Sequence, residues 1–145
     1  MKISTKGRYA LRMLLDLAEY QQDGYVSLKE TAARQNISKK YLEQIVPLLN
    51  NDGILLTNRG NKGGYRLAKT PDSYTVGDII RATEGSLAPV ACLEQKPNVC
   101  EKASECPTLF VWEGLYEIIT NYLDNITLQD ILNKTHDLNS DHYCI

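Results

Sequence analysis

Apolar positions along the chain keep a helical rhythm, broken once by a short stretch of strand-like density. From Ile3 to Tyr20, the residues Tyr9, Leu11, Leu14, Leu15, Leu17 and Ala18 predict a first helix. Ser4 or Thr5 serves as its N-cap, and Gln21-Gln22-Asp23-Gly24 ends it. Ser27-Leu28-Lys29-Glu30 has the form of a capping box and opens a short helix over about 28–35, with Asn36 as a left-handed stop. Ser38 then caps a third helix to about Asn51, striped by Leu42, Ile45, Val46 and Leu49. Pro47 removes a backbone donor inside it, which predicts a kink or a break near Val46. Ile54-Leu55-Leu56-Thr57 and Tyr65-Arg66-Leu67 read as strands on either side of the glycine-rich turn Arg59–Gly64.

The second half is more open. Pro71-Asp72-Ser73 reads as a linker, and Thr75 caps a fourth helix to about Thr83. Gly85 to Cys106 reads as a long loop, a length that usually carries function. Pro107 suits the first position of a long helix. Its residues Leu109, Trp112, Leu115, Ile119, Tyr122 and Ile126 fall at near-heptad steps, widened by Val111, Ile118 and Leu123. A lone helix with that much apolar surface needs a partner. Thr127-Leu128-Gln129-Asp130 caps a last short helix to about Lys134, followed by a polar, mobile tail. The expected fold class is mostly α with a small β-hairpin. Four regions follow: a winged helix-turn-helix domain over 1–83, a cysteine-containing loop over 84–106, a dimerisation helix with its short successor over 107–134, and a flexible tail over 135–145.

Two short helices joined by a tight turn, followed at once by a hairpin, form the pattern of a helix-turn-helix with a wing. The third helix would then offer Ser38, Lys39, Lys40, Tyr41, Glu43 and Gln44 to a DNA major groove. Hydroxyls and lysines suit phosphates or guanine, Gln44 suits adenine, and Glu43 suits the amino group of cytosine. Lys39 and Lys40 oppose the dipole at a helix N-terminus, which points to an anionic partner. Arg59, Gly60 and Lys62 sit at the wing, where an arginine is suited to a narrow minor groove. Lys2, Lys6, Arg8 and Arg12 are either further phosphate contacts or plain surface. A nucleotide cradle would need a helix after the glycine turn, and a strand follows instead.

Charge supports this division. The formal net charge is −2. Residues 1–70 carry 12 Lys/Arg against 6 Asp/Glu, a net of +6, whereas residues 71–145 carry 4 against 12, a net of −8. A polyanion therefore suits the first half only. No apolar run reaches the roughly 18 residues of a membrane span. The N-terminus lacks the apolar core of a secretion signal, which places the protein in the cytoplasm. No Ser/His/Asp set, paired carboxylates or nucleotide loop points to an enzyme.

Cys92, Cys100 and Cys106 fall within fifteen residues, and Cys144 lies one from the end. Without a secretion signal a disulfide framework is the poorer reading. Structural zinc prefers four ligands, commonly in paired C-x2-C spacing, which is absent. An iron–sulfur cluster on three thiolates plus one other ligand, or a thiol redox sensor, remain as alternatives. A small iron–sulfur redox protein that binds no DNA is a further one.

The motifs Lys2-Ile3-Ser4-Thr5-Lys6-Gly7-Arg8-Tyr9-Ala10, Ile37-Ser38 with Tyr41-Leu42-Glu43-Gln44, Arg59-Gly60 with Gly63-Gly64-Tyr65, Gly77-Asp78-Ile79-Ile80 and Asn125-Ile126-Thr127-Leu128 resemble the IscR-type (Rrf) winged-helix transcription regulators. The resemblance covers about residues 1–134. It implies a homodimer joined by the long helix, binding to a pseudo-palindromic DNA site, and regulation of transcription, usually repression. Cys92, Cys100 and Cys106 look like the ligands of a 2Fe–2S cluster in IscR-like members. The resemblance also includes cluster-free, CymR-like repressors of sulfur metabolism, which lack the triad and are regulated by a protein partner. The fourth ligand departs from the pattern. IscR-like members place a histidine where this chain has Leu109, and others use an N-terminal aspartate where it has Arg8. Glu101, Glu105, His136, His142, Cys144 or a solvent molecule or thiol are the remaining donors.

Overall fold

The computed structural model describes residues 2–141, so the expectations for His142 and Cys144 lie outside the described residues. Six helices and one antiparallel hairpin appear in the order α1 (Thr5–Tyr20), α2 (Leu28–Gln35), α3 (Lys39–Asn51), β1 (Leu55–Asn58), β2 (Gly64–Leu67), α4 (Val76–Glu84), α5 (Leu109–Asp124) and α6 (Leu128–Asp141). The mostly helical fold with a small hairpin is the one the patterning predicts.

α1 is the central post. Ala10, Met13, Leu14 and Leu17 lie on one face at helical spacing and are fully buried. Leu42, Ile45 and Leu49 of α3, Ile79 of α4 and Leu128 of α6 complete the same core. Helix starts are set by side-chain caps. Ser4 Oγ accepts from the Gly7 amide, Ser27 and Glu30 close a full capping box, and Ser38 Oγ accepts from the Tyr41 amide. Thr75 with Asp78 and Thr127 with Asp130 repeat the box at α4 and α6. Asn36 ends α2 in the left-handed region, at φ 51° and ψ 47°.

Pro47 neither breaks α3 nor ends it; the helix runs unbroken from Lys39 to Asn51. A proline inside a helix costs roughly 3 kcal/mol. Full burial of Leu42, Ile45 and Leu49, each contributing roughly 1.5–3 kcal/mol, outweighs that cost. α6 also departs from the expected short helix and mobile tail, because it extends to Asp141. Thr135 and Ser140 donate to the carbonyls of Ile131 and His136, so polar residues that read as tail bond along the helix instead.

The hairpin pairs Leu55 with Leu67 and Asn58 with Gly64. Its second strand is tied to the segment before α2, where the amides and carbonyls of Val26 and Tyr65 exchange bonds of 2.9 and 2.8 Å. Gly64 lets this happen, since a Cβ there would run into the Val26 carbonyl. The wing is thereby fastened to the helix-turn-helix as well as to the end of α3.

α5 carries two apolar faces where the spacing suggested one broad stripe. Tyr116, Ile119 and Leu123 pack inward on Val76, Ile80 and Leu87. Phe110, Val111, Trp112, Leu115, Ile118 and Tyr122 point outward, with Phe110, Ile118 and Tyr122 at 74, 68 and 66% exposure. An ion pair locks the inner face: the Arg81 fork donates to both Asp124 oxygens at 2.8 and 2.7 Å. Hydrogen bonding to Asp124 raises the Arg81 pKa further above its ordinary value. Gly77 lies beneath that carboxylate, and a Cβ would collide with Asp124 Oδ1. Gly77→Ala should therefore displace Asp124 and lower stability by about 1–3 kcal/mol, read as a shift of the urea midpoint. An unchanged midpoint would show that α5 can retreat from α4 without cost.

Candidate nucleic-acid interface and cysteine loop

α2, its left-handed exit and α3 form the helix-turn-helix, and the first turns of α3 face outward. Ser38, Lys39, Lys40, Glu43 and Gln44 are all exposed, while Leu42 and Ile45 between them are buried. That alternation follows from the helical period: the core takes one stripe and leaves the other for a ligand. Ser38 Oγ is occupied as the cap, leaving its lone pairs for any further donor. Lys39 reaches Glu43 at 3.5 Å across one turn, an exposed pair of little energetic weight that a phosphate or base edge can displace. Tyr41 is half-buried, and its ring meets Tyr9 of α1 edge-on at 5.4 Å. The wing presents Arg59, Gly60 and Lys62, all exposed, on a turn closed by the Gly63 amide donating to the Gly60 carbonyl at 2.9 Å. Gly60 has a φ of +121°, a conformation that favours glycine.

The turn between α2 and α3 is held from below by a group that charge patterning along the sequence passed over. Asp16 of α1 has no exposed side-chain surface. Both its oxygens accept from the Arg34 fork, at 2.9 and 2.8 Å. That hydrogen bonding raises the Arg34 pKa further above its ordinary value. The signal available in the sequence was an aspartate on the apolar face of α1, between Leu15 and Leu17.

The loop between α4 and α5 contains two short 3-10 turns, Ala91–Leu93 and Ala103–Glu105. Cys92, Cys100 and Cys106 are free thiols, Cys100 exposed and the other two half-exposed. Among the described residues, no three His, Cys, Asp or Glu side chains converge as a ready metal site. Three unpaired thiols on one solvent-reached loop have the chemistry to hold iron, but their present placement is not a preformed cage. His136, one of the remaining candidate donors, lies on α6 against Glu19 of α1 at 3.3 Å. Leu109 and Arg8 supply no ligand at the two positions where one was sought.

A family model described as Rrf2, iron-dependent transcriptional regulator, matches residues 3–134. The chain belongs to the Rrf2 family. It is a DNA-binding transcriptional regulator of winged-helix architecture. The chain is 40% identical over 135 residues to the HTH-type transcriptional regulator CymR of Bacillus subtilis, spanning 93% of this chain and 92% of that one. The solved structure of that protein, described as a global cysteine regulator, aligns with a TM-score of 0.69 at 39% identity, covering 92% of this chain and 98% of that one. The HTH-type transcriptional regulator IscR of Pectobacterium atrosepticum is 37% identical over 139 residues, spanning 96% of this chain and 84% of that one. IscR of T. potens aligns with a TM-score of 0.70 at 38% identity, covering 93% of this chain and 88% of that one. Two kinds of Rrf2 regulator thus stand at similar distance, and overall likeness does not choose between them.

Cys106 has the most distinctive local chemistry of the loop. Its sulfur lies 3.6 Å from Thr108 Oγ1, just before α5. Hydrogen bonding from the Thr108 side chain, then from its backbone amide, holds the Cys106 thiol below its ordinary pKa. A lowered pKa means more thiolate at neutral pH. Thr108→Val should raise that pKa, slow alkylation of Cys106 by iodoacetamide near pH 7 in metal-free protein, and move the rate profile to higher pH. A superimposable profile would remove Thr108 as the cause.

Proposed function

We propose that this Rrf2 regulator is a homodimeric repressor whose operator affinity is set by a 2Fe–2S cluster on Cys92, Cys100 and Cys106. The observation that carries the reading is the concentration of three unpaired thiols on one exposed loop, between the DNA-binding body and α5. The cluster would supply a redox-active, oxygen- and iron-sensitive centre when bound. The chain's own contribution is mechanical. The loop begins at the end of α4, which packs on α1, and ends at the start of α5. Ordering it therefore acts on the two elements that set where a reading head stands. A second copy covers the outer face of α5, since a row of large apolar side chains with that exposure is costly in water.

Ser38, Lys39, Lys40, Tyr41, Glu43 and Gln44 then read one half-site in the major groove, and Arg59, Gly60 and Lys62 reach the adjacent minor groove. Two-fold symmetry predicts half-sites about 10 bp apart. The fourth cluster ligand comes from Glu101, Glu105 or solvent, because Leu109 is not a donor and His136 is engaged on α6.

A cluster-free, CymR-like repressor with redox-active thiols and a protein partner is the second reading. It is favoured by the identity to CymR and by the thiolate-promoting surroundings of Cys106. Anaerobic reconstitution with iron and sulfide separates the two. Bands between about 320 and 460 nm that vanish in the Cys92/Cys100/Cys106 triple alanine variant support the cluster. A colourless, iron-free protein hands the cysteines to thiol chemistry and leaves DNA binding intact. On the DNA side, Arg59→Ala should weaken binding and make its salt dependence shallower by about one unit of log–log slope, as measured by fluorescence anisotropy. Wild-type affinity in that variant at moderate salt would exclude the wing from the interface.

A further inference from the structure

Arg12 lies among the basic residues of α1, where a phosphate contact or plain surface would be the ordinary reading. The structure uses its side chain differently. Tyr9, Arg12 and Asp16 occupy one face of α1 at steps of three and four. Together they grip both ends of the turn that separates α2 from α3.

At the α2 end, the Arg12 guanidinium donates to the Gln35 main-chain carbonyl and, through Nε, to Gln35 Oε1 at 3.3 Å. That carbonyl belongs to the last residue of α2 and has no partner within its own helix, so a cation is well placed there. Gln35 Nε2 in turn donates to buried Asp16 Oδ1 at 3.1 Å. The amide orientation is forced by chemistry, because Arg12 can only donate and an ionised Asp16 can only accept. At the α3 end, the same guanidinium sits 5.3 Å from the centre of the Tyr9 ring, and Tyr9 meets Tyr41 in the first turn of α3.

We propose that Arg12 is a positioning residue for DNA recognition. It ties the exit of α2 to the entry of α3 and so fixes the placement of Lys39, Lys40 and Gln44, without itself neutralising a phosphate. The proposal rests on the reading of α3 as the helix that contacts base edges. Base-edge hydrogen bonds fail with small errors of distance and angle, whereas attraction to phosphates tolerates them. Arg12 should therefore matter for sequence-specific binding and be silent in non-specific binding. Asp16 is unsuited to the test because it is fully buried and its loss endangers the fold. Arg12 is exposed, and alanine is a better helix former.

The probe is a fluorescein-labelled duplex carrying the sequence that the full wild-type chain selects from a random library, with a scrambled duplex for reference. Arg12→Ala and Arg12→Lys are each expected to bind the selected duplex about tenfold more weakly. Both should bind the scrambled duplex as wild type does and keep its salt slope. Lysine is informative because it keeps the charge and loses the fork. Gln35→Met should weaken specific binding too, and the Arg12→Ala/Gln35→Met double variant should lose less than the sum of the two. Full rescue by lysine, a slope shallower by about one unit in Arg12→Ala, or additive losses in the cycle would each overturn the proposal in favour of a direct phosphate contact. Gln44→Ala keeps the two readings apart. If it loses sequence preference while Arg12→Ala does not, α3 still reads bases and the positioning role fails. If wild type selects no sequence, the reading of α3 falls and takes the proposal with it.

Discussion

Burial of one face of α1 is the constraint on which the remaining structure depends. Ala10, Met13, Leu14 and Leu17 are removed from water only because α2, α3, α4, α6 and the hairpin close around them. Each neighbour is held at a distance set by side-chain volume, since protein interiors pack to nearly constant density. The placement of α3 on the surface is thus a consequence of what lies beneath it. A regulator gains from this arrangement, because a reading helix must be presented rigidly and its outward stripe must stay free of structural duty.

Polar chemistry is layered on the same post. The opposite edge of α1 carries Tyr9, Arg12 and buried Asp16, and these meet the turn between α2 and α3. A buried carboxylate needs its partners, and here they come from Arg34 and Gln35, the last two residues of α2. The requirement to satisfy Asp16 therefore also fixes where α2 stops. Asn36 then turns the chain in the left-handed region, and Ser38 starts the next helix.

The other end of the molecule is organised around α4 and α5. Gly77 leaves room for the Asp124 carboxylate, and the Arg81 fork closes on it. This joins the DNA-binding body to the helix whose outer face is left apolar. The cysteine loop spans the same two helices along the chain. A change in the loop is therefore applied at a rigid joint, which is how a small local event is passed to a distant surface.

The helices, their caps and the wing were legible in the sequence because each rests on local chemistry. Ser27 with Glu30 makes a box, Asn36 tolerates a positive φ, and glycines at 60, 63 and 64 permit a tight turn, all within a few residues of one another. The exposed stripe of α3 followed from the period of its apolar residues, and membership of the family from short motifs. Tertiary structure decided the rest, for a common physical reason. Pro47 is accommodated because the surrounding core compensates a lost hydrogen bond, and no local rule contains the core. The two faces of α5 are distinguished only by which one α4 covers. Arg12 reads as a surface base until α1 is laid against Gln35, twenty-three residues away. Spacing brought three thiols onto one loop, but whether their sulfurs meet depends on a loop conformation that helical and strand periodicities do not encode.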